Sequence, residues 1–126
     1  MKWLDRRISA PGPYLCLCLS EAEYLKAFKH LKLKPTAAWV SQHANATVHL
    51  ARSGNGVCAV VCVDALDGRN GVEVAGMLVH EAVHIWQEWC DHYGETNPGR
   101  EQEAYAIQAI SQELMAEFAR RTGMGK

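Results

Sequence analysis

The sequence has no excess of charge of either sign. Its 13 Lys and Arg residues nearly balance its 14 Asp and Glu residues, for a formal net charge of -1. A chain with this balance has no electrostatic footprint for nucleic acid or an anionic membrane, so neither is expected as a partner. No hydrophobic run approaches the roughly 20 residues of a membrane span. Charged residues within 1–7 argue against a signal peptide, and we expect a cytoplasmic protein.

The sequence also lacks a cysteine framework. Its five cysteines are an odd number, and none form a C-x-x-C pair. Cys16 and Cys18 are two positions apart, and Cys58 and Cys62 are four apart, each pair in an apolar run. These spacings exclude a zinc ribbon and make a disulfide framework unexpected. We predict that the cysteines, including Cys90, are free and buried as small hydrophobic residues.

The order of predicted elements indicates an α+β fold in a single domain over residues 1–126. A Ser-Gly-Asn-Gly segment at 53–56 separates two strand-like runs and predicts a β-hairpin. The second run is apolar on both sides, which predicts a strand covered on both faces. Strands are predicted at about 14–19, 37–41, 46–52 and 57–64, and helices at about 21–33, 73–92 and 98–120.

Two local signals mark where helices begin. Ser20 followed by Glu23 has the form of a capping box, which predicts the start of the first helix. Asn97 before Pro98 predicts an N-cap and a first helical residue for the last helix.

The run His80-Glu81-Ala82-Val83-His84 carries the clearest chemical signal. Residues four apart on a helix share a face, so the two imidazoles can bind one metal ion. Glu81 lies between them and can reach a water on that metal without binding the metal itself. This arrangement makes a nucleophile from water at neutral pH. The alternative is that His80 and His84 belong to a face that simply contacts solvent.

A third ligand is required for a catalytic zinc site with one open position. Glu103 falls in the apolar stripe of the last helix, where a buried carboxylate is costly unless it is paired or binds a metal. Glu101 projects to the opposite side, where water can solvate it. Helical phase therefore favours Glu103. The stripe consists of Ile107, Ile110, Leu114 and Phe118.

The spacing from His80-Glu81-x-x-His84 through eighteen residues to Glu103 resembles the gluzincin branch of the zincin metallopeptidases. The run Glu101-Gln102-Glu103-Ala104-Tyr105 is similar to short zincin-like proteins of bacterial and phage genomes, in which the second glutamate is the ligand. The resemblance implies a minimal zincin-like fold, with an N-terminal helix, a small sheet with a hairpin, an active-site helix and a C-terminal ligand helix. It also implies that His80, His84 and Glu103 bind Zn²⁺ and that Glu81 is the general base.

Further roles are assigned by residue type. His92, Tyr105, Tyr93 and His49 are candidates to stabilise the oxyanion, although packing or surface roles suit each of them better. Arg100 and Glu101 are candidates to orient the ligands. Either the 46–52 strand or the strand ending near Val63 could offer backbone groups to an extended peptide.

The predicted function is zinc-dependent hydrolysis of a peptide bond in a protein or peptide substrate. One alternative is a zinc amidase that acts on a non-protein amide. Another is a non-catalytic zinc-binding interaction module, which the presence of Glu81 disfavours because a structural metal site needs no base. The sequence gives no indication of the oligomeric state.

Overall fold

The computed structural model describes residues 13–53, 56–64 and 68–123 and has a mixed α+β architecture. Residues 1–12, the predicted hairpin tip at 54–55, and residues 65–67 and 124–126 lie outside the described residues. In chain order the elements are β1 (Tyr14–Cys18), α1 (Glu21–Leu31), β2 (Ala46–Ser53), β3 (Gly56–Val63), α2 (Gly71–His92) and α3 (Arg100–Thr122). No helix in the described ranges combines the length and the apolar character needed to cross a membrane.

The three strands form one sheet in the order β1-β3-β2. The predicted hairpin is confirmed, since β2 and β3 pair antiparallel from Ala46 opposite Val63 to Ser53 opposite Gly56. β1 runs parallel to β3, with Cys18 opposite Cys62. As the central strand, β3 is buried on both faces from Cys58 to Val63, which explains its apolar sequence.

Helices cover both faces of this sheet. α1 packs on one face, where Tyr24 and Phe28 belong to the same buried cluster as Val60 and Cys62 of β3. α2 and α3 pack on the other face, where Leu78 and Leu114 belong to the larger apolar cluster. The sheet therefore separates two hydrophobic layers, and the predicted metal-binding helix belongs to the larger one.

All five cysteines are free and buried, as predicted. The sulfur atoms of Cys16 and Cys18 lie 3.9 Å apart on the face of the sheet that α1 covers. The hydrogen bond to Cys18 and burial raise the pKa of both the Cys16 and the Cys62 thiols. These two thiols therefore stay protonated and serve as packing groups.

Two predicted elements differ from the structure. Segment 37–41 is not a strand, because the amide of Ser41 donates to Oγ1 of Thr47 at 2.8 Å and closes a local loop instead of pairing in the sheet. The N-cap of α3 is Gly99, not Asn97, and Pro98 precedes the helix. Gly99 has extended backbone angles (φ -61°, ψ 141°), so helical geometry begins only at Arg100.

The predicted start of α1 is confirmed. Glu23 in its first turn also contacts the end of α3. Oγ of Ser20 accepts from the amide of Glu23 at 3.2 Å, and the Glu23 carboxylate accepts from the amide of Leu19 at 2.9 Å. The guanidinium of Arg121 at the end of α3 also donates to the Glu23 carboxylate. The two groups form a bidentate ion pair in which one hydrogen bond is 2.9 Å long. Burial acts to raise the pKa of Glu23, but the hydrogen bonds from Arg121 and Leu19 outweigh it and leave this pKa lowered.

We expect the Glu23–Arg121 pair to stabilise the fold in a pH-dependent way. Because the pKa of Glu23 is lower in the folded chain, its contribution is complete above the ordinary value of 4.5 and is lost as pH falls through the folded value. Arg121→Gln should lower the free energy of unfolding at pH 7 by about 1.5–3 kcal/mol. The difference between the two proteins should shrink as pH falls below 4.5. Urea unfolding from pH 3 to 7 measures this, with Lys26→Gln on the exposed face of α1 as control. A constant difference at all pH values would contradict the assignment.

Candidate metal centre

The helix that carries the H-E-x-x-H run is α2, and its start is fixed by a capping box. Oδ1 of Asn70 accepts from the amide of Glu73 at 2.8 Å, and Oε1 of Glu73 accepts from the amide of Asn70 at 3.3 Å. The side of α2 that includes Leu78, Ala82 and Ile85 is buried against the sheet and α3. This packing fixes the rotation of α2 about its axis, and with it the directions of the remaining side chains.

His80 and His84 lie one turn apart and their rings converge. The two Nε2 atoms are 3.2 Å apart, and the ring centroids are 4.8 Å apart with the ring planes at 73°. Both residues are exposed, so their nitrogens face open space. Two nitrogens that bind zinc at 2.0–2.1 Å and at the tetrahedral angle are about 3.3 Å apart. The spacing of this histidine pair therefore fits two positions of a tetrahedral metal site.

Glu81 lies beside the histidine pair but is turned toward the interior. Its exposed fraction is only 6%, in contrast to the exposed histidines on either side. Burial raises the pKa of the Glu81 carboxyl, while the charges of His80 and His84 act in the opposite direction. A partly desolvated carboxylate with a raised pKa is a stronger proton acceptor, which is the property that a general base requires.

An open cavity of about 410 Å³ lies between α2 and β2 at this point. On the helix side it is lined by His80, Glu81, His84 and Glu88, and on the strand side by Ala46, Val48 and Leu50. Among the described residues, β2 pairs only with β3 and so has one unpaired edge. The strand that ends at Val63, the alternative considered from the sequence, is β3. Because β3 is paired on both sides, it has no free backbone groups to offer a peptide, and this alternative is wrong.

Glu103 does not lie with the histidine pair. Its Oε2 accepts from the indole Nε1 of Trp86 at 2.9 Å, and the residue as a whole is exposed. The expectation that it sits within a buried stripe is wrong, because the buried part of α3 begins at Ala106 and Glu103 lies in the turn before it. Across the described residues, no group of three or more His, Cys, Asp or Glu side chains is placed to hold a metal ion.

The other candidates named from the sequence lie outside the cavity. His49 packs against Tyr24 on the face of the sheet that α1 covers, and its Nε2 contacts the carbonyl of Trp39 at 2.9 Å. This face is opposite the one against which α2 packs, so His49 cannot stabilise an oxyanion at the histidine pair.

The ring of His92 lies at the end of α2. Its Nδ1 accepts from the guanidinium of Arg52, and the ring packs against Trp89 and Tyr93. Tyr93 is 64% exposed. This cluster lies beyond the cavity, so neither His92 nor Tyr93 reaches the histidine pair in this arrangement.

The remaining candidates are in the first turns of α3. Tyr105 is 63% exposed, and Arg100 and Glu101 are exposed as well. None of the three lines the cavity. Their positions are those of solvated residues at a helix start, which is the simpler of the two roles considered from the sequence.

Sequence reasoning missed two features of the cavity. No role is predicted for Glu88 from the sequence, but this residue lines the cavity one turn after His84. The periodicity of 80, 84 and 88 was the available signal, since positions four apart share a face. The loop before β2 also contributes, through Ser41 and Ala44, and no residue pattern there indicates it.

No protein-family model, curated protein or solved structure matches the chain, and the case for a function therefore rests on the geometry of its own residues.

Proposed function

We propose that this protein is a zinc-dependent metallopeptidase with a minimal zincin-like active site. The observation that carries the proposal is the convergence of Nε2 of His80 and Nε2 of His84 to 3.2 Å, which matches two ligand positions of tetrahedral zinc. The buried Glu81 carboxylate between them supplies the base that a purely structural zinc site does not need. This second fact favours an enzyme over a non-catalytic zinc-binding module.

Each residue of the proposed site has one task. His80 and His84 would hold the zinc ion, and Glu103 would join them only after a movement of its side chain, since it does not lie with the pair in the structure. Bound zinc supplies the Lewis acidity that lets water ionise near neutral pH. Glu81 takes a proton from the attacking water and later delivers it to the nitrogen of the leaving amine. The burial that raises the pKa of Glu81 supports this role, because it brings the carboxyl closer to the pH at which it must both accept and donate.

Substrate binding is assigned to β2. β2 lines the cavity and, among the described residues, has one unpaired edge, so an extended peptide could add to the sheet beside the histidine pair. Backbone hydrogen bonds would then hold the scissile bond without a requirement for one particular side chain. The free, reduced cysteines support action in the cytoplasm.

Glu103 remains the proposed third ligand on the strength of its spacing from His84. Ligating carboxylates are commonly held by a hydrogen bond from a neighbouring group, and Trp86 donates such a bond to Oε2 of Glu103. We expect Glu103→Ala to weaken zinc binding at least about 10–100-fold. Competition with a chromophoric chelator measures the affinity, and Glu101→Ala two positions away is the matched control. Undiminished affinity in Glu103→Ala would remove this residue from the ligand set.

The activity itself is tested by digestion of a mixed peptide library. The zinc-loaded chain should cleave it, the chelator-treated chain should not, and zinc should restore cleavage. Cleavage that persists after the metal has been removed would contradict a metallopeptidase. Zinc-dependent hydrolysis of small non-peptide amides, with peptides left intact, would point to the amidase alternative.

A further inference from the structure

The cavity beside the histidine pair has a pronounced charge pattern. Of the described residues that line it, Glu81 and Glu88 are the only ones with a formal charge at neutral pH. Glu81 is buried and faces inward, whereas Glu88 is exposed on the next turn of α2. The accessible charge along this wall is therefore a single carboxylate.

The Glu88 carboxylate is available to a ligand. Within the described ranges it forms no hydrogen bond and no ion pair. The one Lys or Arg of β2 is Arg52, which does not line the cavity and whose guanidinium donates to Nδ1 of His92. Glu88 is therefore not ion-paired with any described side chain.

The position of Glu88 relates directly to an extended peptide in the cavity. Each helical residue advances 1.5 Å, so along α2 Glu88 lies about 6 Å beyond His84 and about 9 Å beyond the midpoint of the histidine pair. An extended chain rises 3.2–3.4 Å per residue, so these offsets correspond to about two to three residues of a bound strand. β2 accompanies α2 over the same interval, since Val48, Leu50, His84 and Glu88 all line the cavity.

We infer that Glu88 selects a basic side chain in the substrate, about two to three residues from the scissile bond on one side. This inference rests on the proposed peptidase function and adds a substrate class to it. A Lys or Arg side chain at that position reaches the Glu88 carboxylate while its backbone pairs with β2. An acidic side chain there meets a like charge. Both effects favour peptides with Lys or Arg at that one position.

Two measurements test the inference. The first is the pattern of residues around the cleavage sites in a mixed peptide library, for the wild type, Glu88→Gln and Glu88→Lys. We expect Lys and Arg to be enriched about three- to fivefold at two or three residues from the cleaved bond, as an exposed ion pair allows. The enrichment should vanish in Glu88→Gln and turn toward Asp and Glu in Glu88→Lys. Glu73→Gln, near the start of the same helix, is the matched control and should keep the wild-type pattern.

The second measurement is equilibrium binding to the zinc-loaded Glu81→Gln protein, which does not require turnover. Two matched peptides are used, with Ala and Val alternating with either Lys or Glu. The Lys peptide should bind about three- to fivefold more tightly, and an added Glu88→Gln substitution should equalise the two.

The outcomes separate the inference from the function. Cleavage without any charge preference overturns the role of Glu88 and leaves the peptidase intact. Selective binding of the Lys peptide without cleavage by the wild type upholds the role of Glu88 and overturns the peptidase. Absence of both binding and cleavage overturns both.

Discussion

Replacing Glu81 by Gln is expected to lower kcat/KM for peptide cleavage by about 10²–10⁴-fold, the usual contribution of a general base. Gln keeps the size of the side chain and its hydrogen-bonding reach but cannot take a proton from water. The substitution leaves both imidazoles in place, so zinc affinity should stay within a few-fold of the wild type. The measurement pairs steady-state kinetics on one cleaved peptide with a zinc titration.

Glu73→Gln is the control for this substitution. It makes the same chemical change on the same helix, at a capping position where Glu and Gln are both suitable. Its kcat/KM should equal that of the wild type. If Glu81→Gln cleaves as fast as the wild type, Glu81 is not the base and any cleavage observed comes from elsewhere.

Zinc is expected to stabilise the folded chain strongly. A ligand that binds only the folded state contributes about 4 kcal/mol when its free concentration exceeds Kd about 1,000-fold. For a chain of this length that corresponds to a rise in Tm of roughly 10–20 °C, and a chelator should reverse it. Thermal unfolding, with and without zinc, measures the effect.

His84→Ala should remove most of this rise, because one imidazole alone cannot provide the converging pair. His30→Ala, an exposed histidine on α1, is the matched control and should keep the full rise. An equal zinc effect in the wild type and in His84→Ala would place the metal at another site.

Sequence patterns that act over a few neighbouring residues predicted most of the fold. The apolar run of β3, the hairpin signal before it and Ser20 as N-cap each act within a few residues. The structure contains the buried strand, the antiparallel pairing of β2 with β3 and the Ser20 N-cap, although Glu23 accepts from the amide of Leu19 and does not complete the capping box with Ser20. The convergence of His80 and His84 could also be predicted, because helical geometry alone sets it.

What could not be predicted depends on packing between distant segments. Sequence gives no strand order, so it left open whether β2 or β3 has the free edge. The hydrogen bond of Glu103 to Trp86 depends on how α3 lies against α2, which helical phase alone does not determine. Segment 37–41 had some strand character but no partner, and a strand needs one.

Metal analysis of the purified chain tests the central claim most directly. Zinc content by mass spectrometry should be about one ion per chain in the wild type and in Glu81→Gln, and near zero in the His80→Ala, His84→Ala double variant. A wild type without zinc after reconstitution, or a double variant that retains a full equivalent, would contradict the claim that this histidine pair is a metal site.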